Sequence, residues 1–305
     1  MKSIILDVDT GIDDAMAIVY AARSPELNLL GVTTTFGNVS VEEATRNTLY
    51  VLELLGRDDV PVCLGADRPL IRPLRGYAKQ VHGEDGLGGA LRGGPKGRAG
   101  SMPAARFMTE LVRRHPGEVT VIAVGPMTNL AQAVILDPAF PELVGQVIIM
   151  GGAVTVRGNI TPYAEANIYS DPEAAAFVLR SGLPLTMVGL DVTMKTLLPR
   201  TNLEEWRRKG SRVTDFLAEA ADFYMNAYEN WRPGIGGCAL HDPLAVGMAI
   251  DPSFCRTEEM RVGVVMDGEE TGRTVGEQTA GGPAVNVCLE VEAGRFLQHF
   301  MSRMA

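Results

Sequence analysis

The chain opens on an uninterrupted apolar run, Ile4-Ile5-Leu6, of the kind that fills a strand buried on both faces. Four acids follow at once: Asp7, Asp9, Asp13 and Asp14. Thr10-Gly11 supplies a tight turn between them, and Asp13-Asp14 opens a helical stretch over residues 15–20. The same alternation then recurs. Residues 27–35 predict a second strand ending in Phe36-Gly37-Asn38, and Ser40-x-x-Glu43 is a capping box opening a helix to about Leu55. Residues 60–65 predict a short third strand. Strand, turn and helix in repetition are the signature of βαβ units, which build a parallel sheet with right-handed crossovers.

Residues 66–102 break the rhythm. They are rich in Gly, Pro and Arg and contain His82-Gly83-Glu84-Asp85-Gly86-Leu87-Gly88-Gly89. A loop of this length without elements of its own is either a solvated connection or a mobile segment over a site. His82 beside two acids and four glycines favours the second. The alternation resumes with a helix over 103–114, a strand over 119–124 and a helix after Gly125-Pro126-Met127-Thr128-Asn129. A strand over 146–152 follows, with a glycine turn at its end. A loop carrying Asn159, Glu165 and Asn167 leads to Asp171-Pro172-Glu173, a helix cap with proline at the first helical position. A sixth strand is predicted over 185–191.

From Thr201 the pattern is helical to about Glu229, with Thr201-x-x-Glu204 as a second capping box. Tyr224 and Tyr228 lie four apart, hence on one helix face, where core packing and a pocket wall are both open readings. A glycine-rich stretch precedes His241-Asp242-Pro243. Residues 260–291 predict antiparallel strands with turns at Asp267-Gly268 and Gly281-Gly282-Pro283, and a last helix starts near Glu292. The expected fold is a single α/β domain over 1–305. A mostly parallel, Rossmann-like central sheet would be flanked by helices, with extra antiparallel strands near the C-terminus.

Composition narrows the function classes. The chain has 305 residues, enough for a large core, and a net charge of −9, which argues against a nucleic-acid groove or an anionic membrane surface. No apolar run reaches the length of a membrane span, and the start of the chain lacks a signal-peptide core. The four cysteines (Cys63, Cys238, Cys255, Cys288) are scattered, as expected of reduced thiols in a cytoplasmic protein.

The acid cluster carries the candidate chemistry. Asp7 and Asp9 fall at the carboxyl end of a strand and Asp13 and Asp14 at the start of the next helix, which in an open α/β sheet is the ligand-binding crevice. Four acids so close repel unless a cation holds them, and an all-oxygen donor set points to calcium or magnesium. Helix capping alone leaves Asp7 and Asp9 unexplained. An EF-hand fails, because Gly11 and Ile18 occupy positions that need ligands. An Asp-x-Asp phosphatase with Asp7 as nucleophile stays open on these residues alone.

Taken together, DVDTGIDDA, TTTFGN, HGEDGLGG, VGPMTN, IMGG, GNITPYAEANIYSDPEAA and HDP resemble the nucleoside hydrolases, the inosine-uridine-preferring and related ribonucleoside N-glycosidases. The resemblance runs in order from Asp7 to about Asp251 and displaces the phosphatase, which gives no role to Asp13-Asp14 or His241-Asp242. It implies one calcium ion held by Asp9, Asp14, Asp242 and the carbonyl of Val124. It also implies ribose contacts from Asp13, Asn38, Asn159, Glu165 and Asn167, with Met150 near the 5′ end of the sugar. His82, Tyr224, Tyr228 and His241 are then candidates for the base pocket. Asp9 becomes the candidate general base and His241 the candidate acid for the departing base.

The implied activity is calcium-dependent hydrolysis of ribonucleosides such as uridine, inosine or cytidine, in salvage. A homo-oligomer, dimer or tetramer, is implied as well. A non-catalytic nucleoside or ribose binder on the same scaffold is the alternative, against which intact Asp9 and His241 speak. Some protozoal members carry a phenylalanine where this chain has Ala166, so their substrate preference does not transfer. Arg157, just before Gly158-Asn159, stands where it would alter the pocket edge.

Overall fold

A computed structural model describes residues 1–277 and 282–304. Its centre is a nine-stranded sheet in the order β10-β9-β11-β6-β5-β4-β1-β2-β3. The strands are β1 (Lys2–Val8), β2 (Leu27–Thr34), β3 (Val62–Leu64), β4 (Val119–Ala123), β5 (Gln146–Met150) and β6 (Leu185–Val188). They continue as β9 (Cys255–Val264), β10 (Thr274–Glu277) and β11 (Val285–Val291), while β7 (Leu197–Pro199) and β8 (Gly237–Ala239) form a separate two-stranded sheet. Strands β1 to β6 pair in parallel, and β11 joins β6 in parallel. Strands β9 and β10 add the expected antiparallel edge. The fold class expected from sequence is therefore the observed one.

Alternation along β1 explains the two layers of helices. Ile4, Leu6 and Val8 feed one buried cluster, with the helices Ile12–Arg23, Arg212–Trp231 and His241–Ile250. Ile5 feeds the other, with the helices Ala104–Arg114, Thr128–Leu136 and Pro172–Arg180. Asp7 shares the second face. It lies wholly buried, accepting from Thr33 Oγ1 and from Asn129 Nδ2 on the helix Thr128–Leu136. The order 3-2-1-4-5-6 reverses direction between β1 and β4, so the crevice beyond their carboxyl ends is the topological switch point.

Several local expectations change. Residues 66–102 hold a short helix, Lys79–His82, which brings His82 inward. The strand ending at 191 stops at Val188, and Asp191 sits in a helix, Leu190–Thr193. The helical stretch from Thr201 is two helices, Thr201–Lys209 and Arg212–Trp231, parted at Gly210, whose φ of +61° suits glycine. Thr201 is no cap but the first helical residue: Arg200 holds the cap position, without a side-chain bond, while Ser211 caps the second helix. The capping box at Ser40 and the cap at Asp171 form as expected. Strands β7 and β8 pair across a long sequence gap that periodicity does not register. The predicted turn at Gly281-Gly282-Pro283 falls partly outside the described residues. Among the described residues no helix is long and apolar enough to cross a membrane.

Candidate active site

Asp9 lies one residue past the end of β1, and Val124 one residue past the end of β4, on the two sides of the switch point. The Val124 N–H donates to the Asp7 carbonyl at 2.8 Å, which continues the β1–β4 ladder to the floor of the crevice. Asp14 is fixed by its own turn. Its Oδ1 accepts from the Asp9 N–H at 3.1 Å, and its Oδ2 from the Gly11 N–H at 2.9 Å and the Asn38 side-chain amide at 3.1 Å. Asp9 Oδ2 accepts from the Asn38 N–H at 2.6 Å. That contact depends on Gly37, whose φ is +155° and where a Cβ would meet Asp9 Oδ2 at 2.1 Å.

Oxygens of Asp13, Asp14 and Asp242 that could hold a metal all lie within 4.8 Å of one another. This grouping brings in Asp13, which the resemblance assigned to the sugar, alongside two of the expected ligands. Asp9 Oδ1 and Asp13 Oδ1 are buried without a hydrogen-bond partner. Burial first, and then mutual repulsion, push the carboxyls of Asp9, Asp13 and Asp242 above the usual carboxylate range, that of Asp13 to about 7. Asp14 is raised by burial in the same way. Among the described residues none of the four has a lysine or arginine partner, and His82 Nδ1 comes only to 3.9 Å of Asp13. A buried, uncompensated, all-oxygen cluster with orphaned acceptors suits a hard divalent cation.

Above this floor opens a cavity of about 560 Å³, large enough for a nucleoside-sized molecule. It is lined by Asp13, Asn38, His82, Val124, Met150, Asn159, Glu165, Asn167, Tyr224, Tyr228, His241 and Asp242. Every residue expected in the pocket is present at it, with Asp9 and Asp14 buried below.

One side is polar. Asn167 Nδ2 donates to the carbonyls of Val124 at 2.7 Å and Met150 at 3.1 Å. Asn159 Oδ1 accepts from the Ala166 N–H, which leaves its Nδ2 as the group available to a ligand. Glu165 is chiefly a cap. Its two oxygens accept from the N–H groups of Asn167, Ile168 and Gly152, so it fixes the Asn167 loop as well as lining the cavity.

The opposite side is aromatic. Tyr224 and Tyr228 stack edge to face at 4.9 Å, and Tyr224 donates to Asp13 Oδ2 at 3.1 Å. His82 Nδ1 accepts from the Ile12 N–H at 3.1 Å, which places its proton on Nε2. His241 Nε2 lies 2.6 Å from the Tyr228 hydroxyl and its Nδ1 lies 2.7 Å from Thr193 Oγ1. Burial pulls the imidazole of His241 down to about 4 and that of His82 to about 3, so both rings rest neutral near pH 7.

Thr193 and Trp231 were missed from sequence. Thr193 followed a stretch read as strand, so nothing marked it. Trp231 had a signal, since it continues the spacing of Tyr224 and Tyr228 by three residues, and its ring packs edge-on to Tyr228 at 5.9 Å.

Residues 4–298 match the family model described as inosine-uridine preferring nucleoside hydrolase. The chain is 38% identical to probable uridine nucleosidase 2 of Arabidopsis thaliana, over 99% of this chain and 97% of the relative. It is also 38% identical, at the same coverage, to the pyrimidine-specific ribonucleoside hydrolase RihA of Citrobacter koseri. Among solved structures it superposes with a TM-score of 0.96 on a purine-preferring ribonucleoside hydrolase from Gardnerella vaginalis, at 38% identity, covering 99% of this chain and 98% of the other.

Proposed function

The chain belongs to the inosine-uridine preferring nucleoside hydrolase family, whose members cleave the N-glycosidic bond of ribonucleosides, and we propose that it does so around a calcium ion held by Asp9, Asp14, Asp242 and the Val124 carbonyl. The observation that carries this reading is the buried carboxylate floor with orphaned oxygens on Asp9 and Asp13. When bound, calcium supplies positive charge that makes water easier to deprotonate and steadies the sugar hydroxyls.

The chain's own groups do the rest. Asp9 has one oxygen pinned by the Asn38 N–H and the other without a partner. The free oxygen takes the proton of the water that attacks C1′. Asp13, Asn38, Asn159 and Asn167 hold the ribose, and the Tyr224 hydroxyl keeps Asp13 in place. As the C1′–N bond breaks, positive charge builds on the sugar and negative charge on the base. The carboxylates face the first, and the His241–Tyr228 pair faces the second and passes the base a proton taken from solvent, while the water's proton stays on Asp9 until the products leave. The products are the free base and ribose.

Replacing Asp9 by Asn keeps the shape but removes the proton acceptor. Turnover should fall by at least roughly 10²-fold, the usual cost of a lost general base. Near-normal turnover with a normal calcium content would mean that another group activates the water.

The metal assignment has its own check. Elemental analysis should find calcium, and chelation should lower the melting temperature, because the floor acids then repel without compensation. Restoring calcium to 100 times its Kd should return about 2.7 kcal/mol of stability. One equivalent of zinc or iron that survives exchange with calcium would overturn the assignment. A panel of ribonucleosides reads the base preference directly, since equal identity links this chain to a pyrimidine-specific and to a purine-preferring enzyme.

A further inference from the structure

Beside the nucleoside cavity lies a second crevice of about 640 Å³. Asn159, Ile160 and Trp231 line both, so they form the ridge between the two. The crevice is also lined by the exposed Arg157, Lys195 and Arg232, with Asp191 as its one carboxylate. Asp191 is already spent: its oxygens accept from the N–H groups of Val154 and Thr155 and from the Thr155 hydroxyl. Lys195 reaches the Leu289 carbonyl at 3.2 Å, and Arg232 lies over the Trp231 ring at 5.6 Å. Among the described residues neither Arg157 nor Arg232 pairs with a carboxylate, in a chain whose net charge is −9. Uncompensated guanidinium groups lining a cavity suit a phosphate, whose oxygens match their paired donors.

The proposed function sets how such a phosphate would arrive. A ribose held on the carboxylate floor, with its base against the tyrosines, points C5′ away from the base. Asn159 and Ile160 carry the polar side to the edge of the crevice, which Trp231 borders from the aromatic side. From this we infer that the crevice binds a phosphate carried on the 5′ carbon of a ribonucleoside, so that nucleoside 5′-monophosphates occupy both cavities at once. This rests on the hydrolase reading for the placement of the sugar.

The test pairs the nucleoside that is turned over fastest with its own 5′-monophosphate as inhibitor, at low ionic strength. In an Arg157→Ala, Arg232→Ala double variant the Ki of the monophosphate should rise about tenfold, the scale of two exposed charge pairs. The KM of the nucleoside should stay within about twofold, which also reports a folded site. The gap should shrink as salt is raised, because such pairs are screened. Equilibrium dialysis of the monophosphate and of inorganic phosphate gives a readout independent of turnover. A monophosphate Ki indifferent to both substitutions and to salt would overturn the inference. So would inorganic phosphate binding that the double variant loses while the monophosphate gains nothing from the arginines, since the crevice would then serve free phosphate. Absence of turnover on every nucleoside would instead defeat the hydrolase reading, and dialysis would still report on the crevice.

Discussion

Uridine should be hydrolysed roughly 10⁴-fold more efficiently than 2′-deoxyuridine, the scale by which a site built to pair a hydroxyl rejects its absence. The floor of the cavity has little else to do. Asp13 Oδ1 is buried without a partner, and Asp13 Oδ2 is tied to the Tyr224 hydroxyl. Asn167 is anchored through the Val124 and Met150 carbonyls, so it cannot swing to cover a missing contact. A deoxyribose would leave these buried groups unpaired at the moment when charge develops on the sugar, and the loss would appear in kcat/KM. Asp13→Ala should narrow the ratio by lowering the rate on uridine more than on deoxyuridine. Comparable efficiency of the wild-type enzyme on both nucleosides would show that the hydroxyl contacts lie elsewhere.

Why the floor was legible and the walls less so follows from sequence distance. Asp9, Asp13 and Asp14 are set by one strand, one turn and one helix start, all within eight residues, so local rules place them. Asp242 needed the family resemblance, because only tertiary packing of the helix His241–Ile250 brings it beside Asp13 and Asp14. His82 was readable as a residue of interest in a glycine-rich loop, but its inward turn comes from a four-residue helix too short for periodicity to show. Thr193 is a harder case. Its bond to His241 joins residues 48 apart, across a helix that looked like the end of a strand. The single helix read from Thr201 to Glu229 has a physical cause too. The pattern of apolar residues runs on through Gly210, and only the left-handed turn there splits it in two. Arg157 was visible as a charge at the pocket edge, while Lys195 and Arg232 join it only through the fold.

His241→Ala should cost 10²–10⁴-fold in turnover on uridine or inosine, on the order expected for a lost general acid, yet spare a riboside of p-nitrophenol. A natural base leaves poorly as an anion, whereas p-nitrophenolate is stable and needs no proton. Before substrate binds, burial holds the His241 ring near pKa 4 and neutral, its Nε2 bonded to the Tyr228 hydroxyl and its Nδ1 to Thr193. A departing base accumulates negative charge in the same buried pocket. That charge favours the imidazolium, so His241 takes up a proton from solvent as the bond breaks and passes it to the base. The p-nitrophenol riboside also controls for damage to the neighbouring Asp242, since a disturbed floor would slow both substrates. Equal losses on both would make His241 a residue that only positions its neighbours. A large loss on inosine with none on uridine would make it an acid for purines alone. The pyrimidine proton would then have to come from the Tyr228 hydroxyl or from His82 Nε2, and Tyr228→Phe and His82→Ala would decide between them.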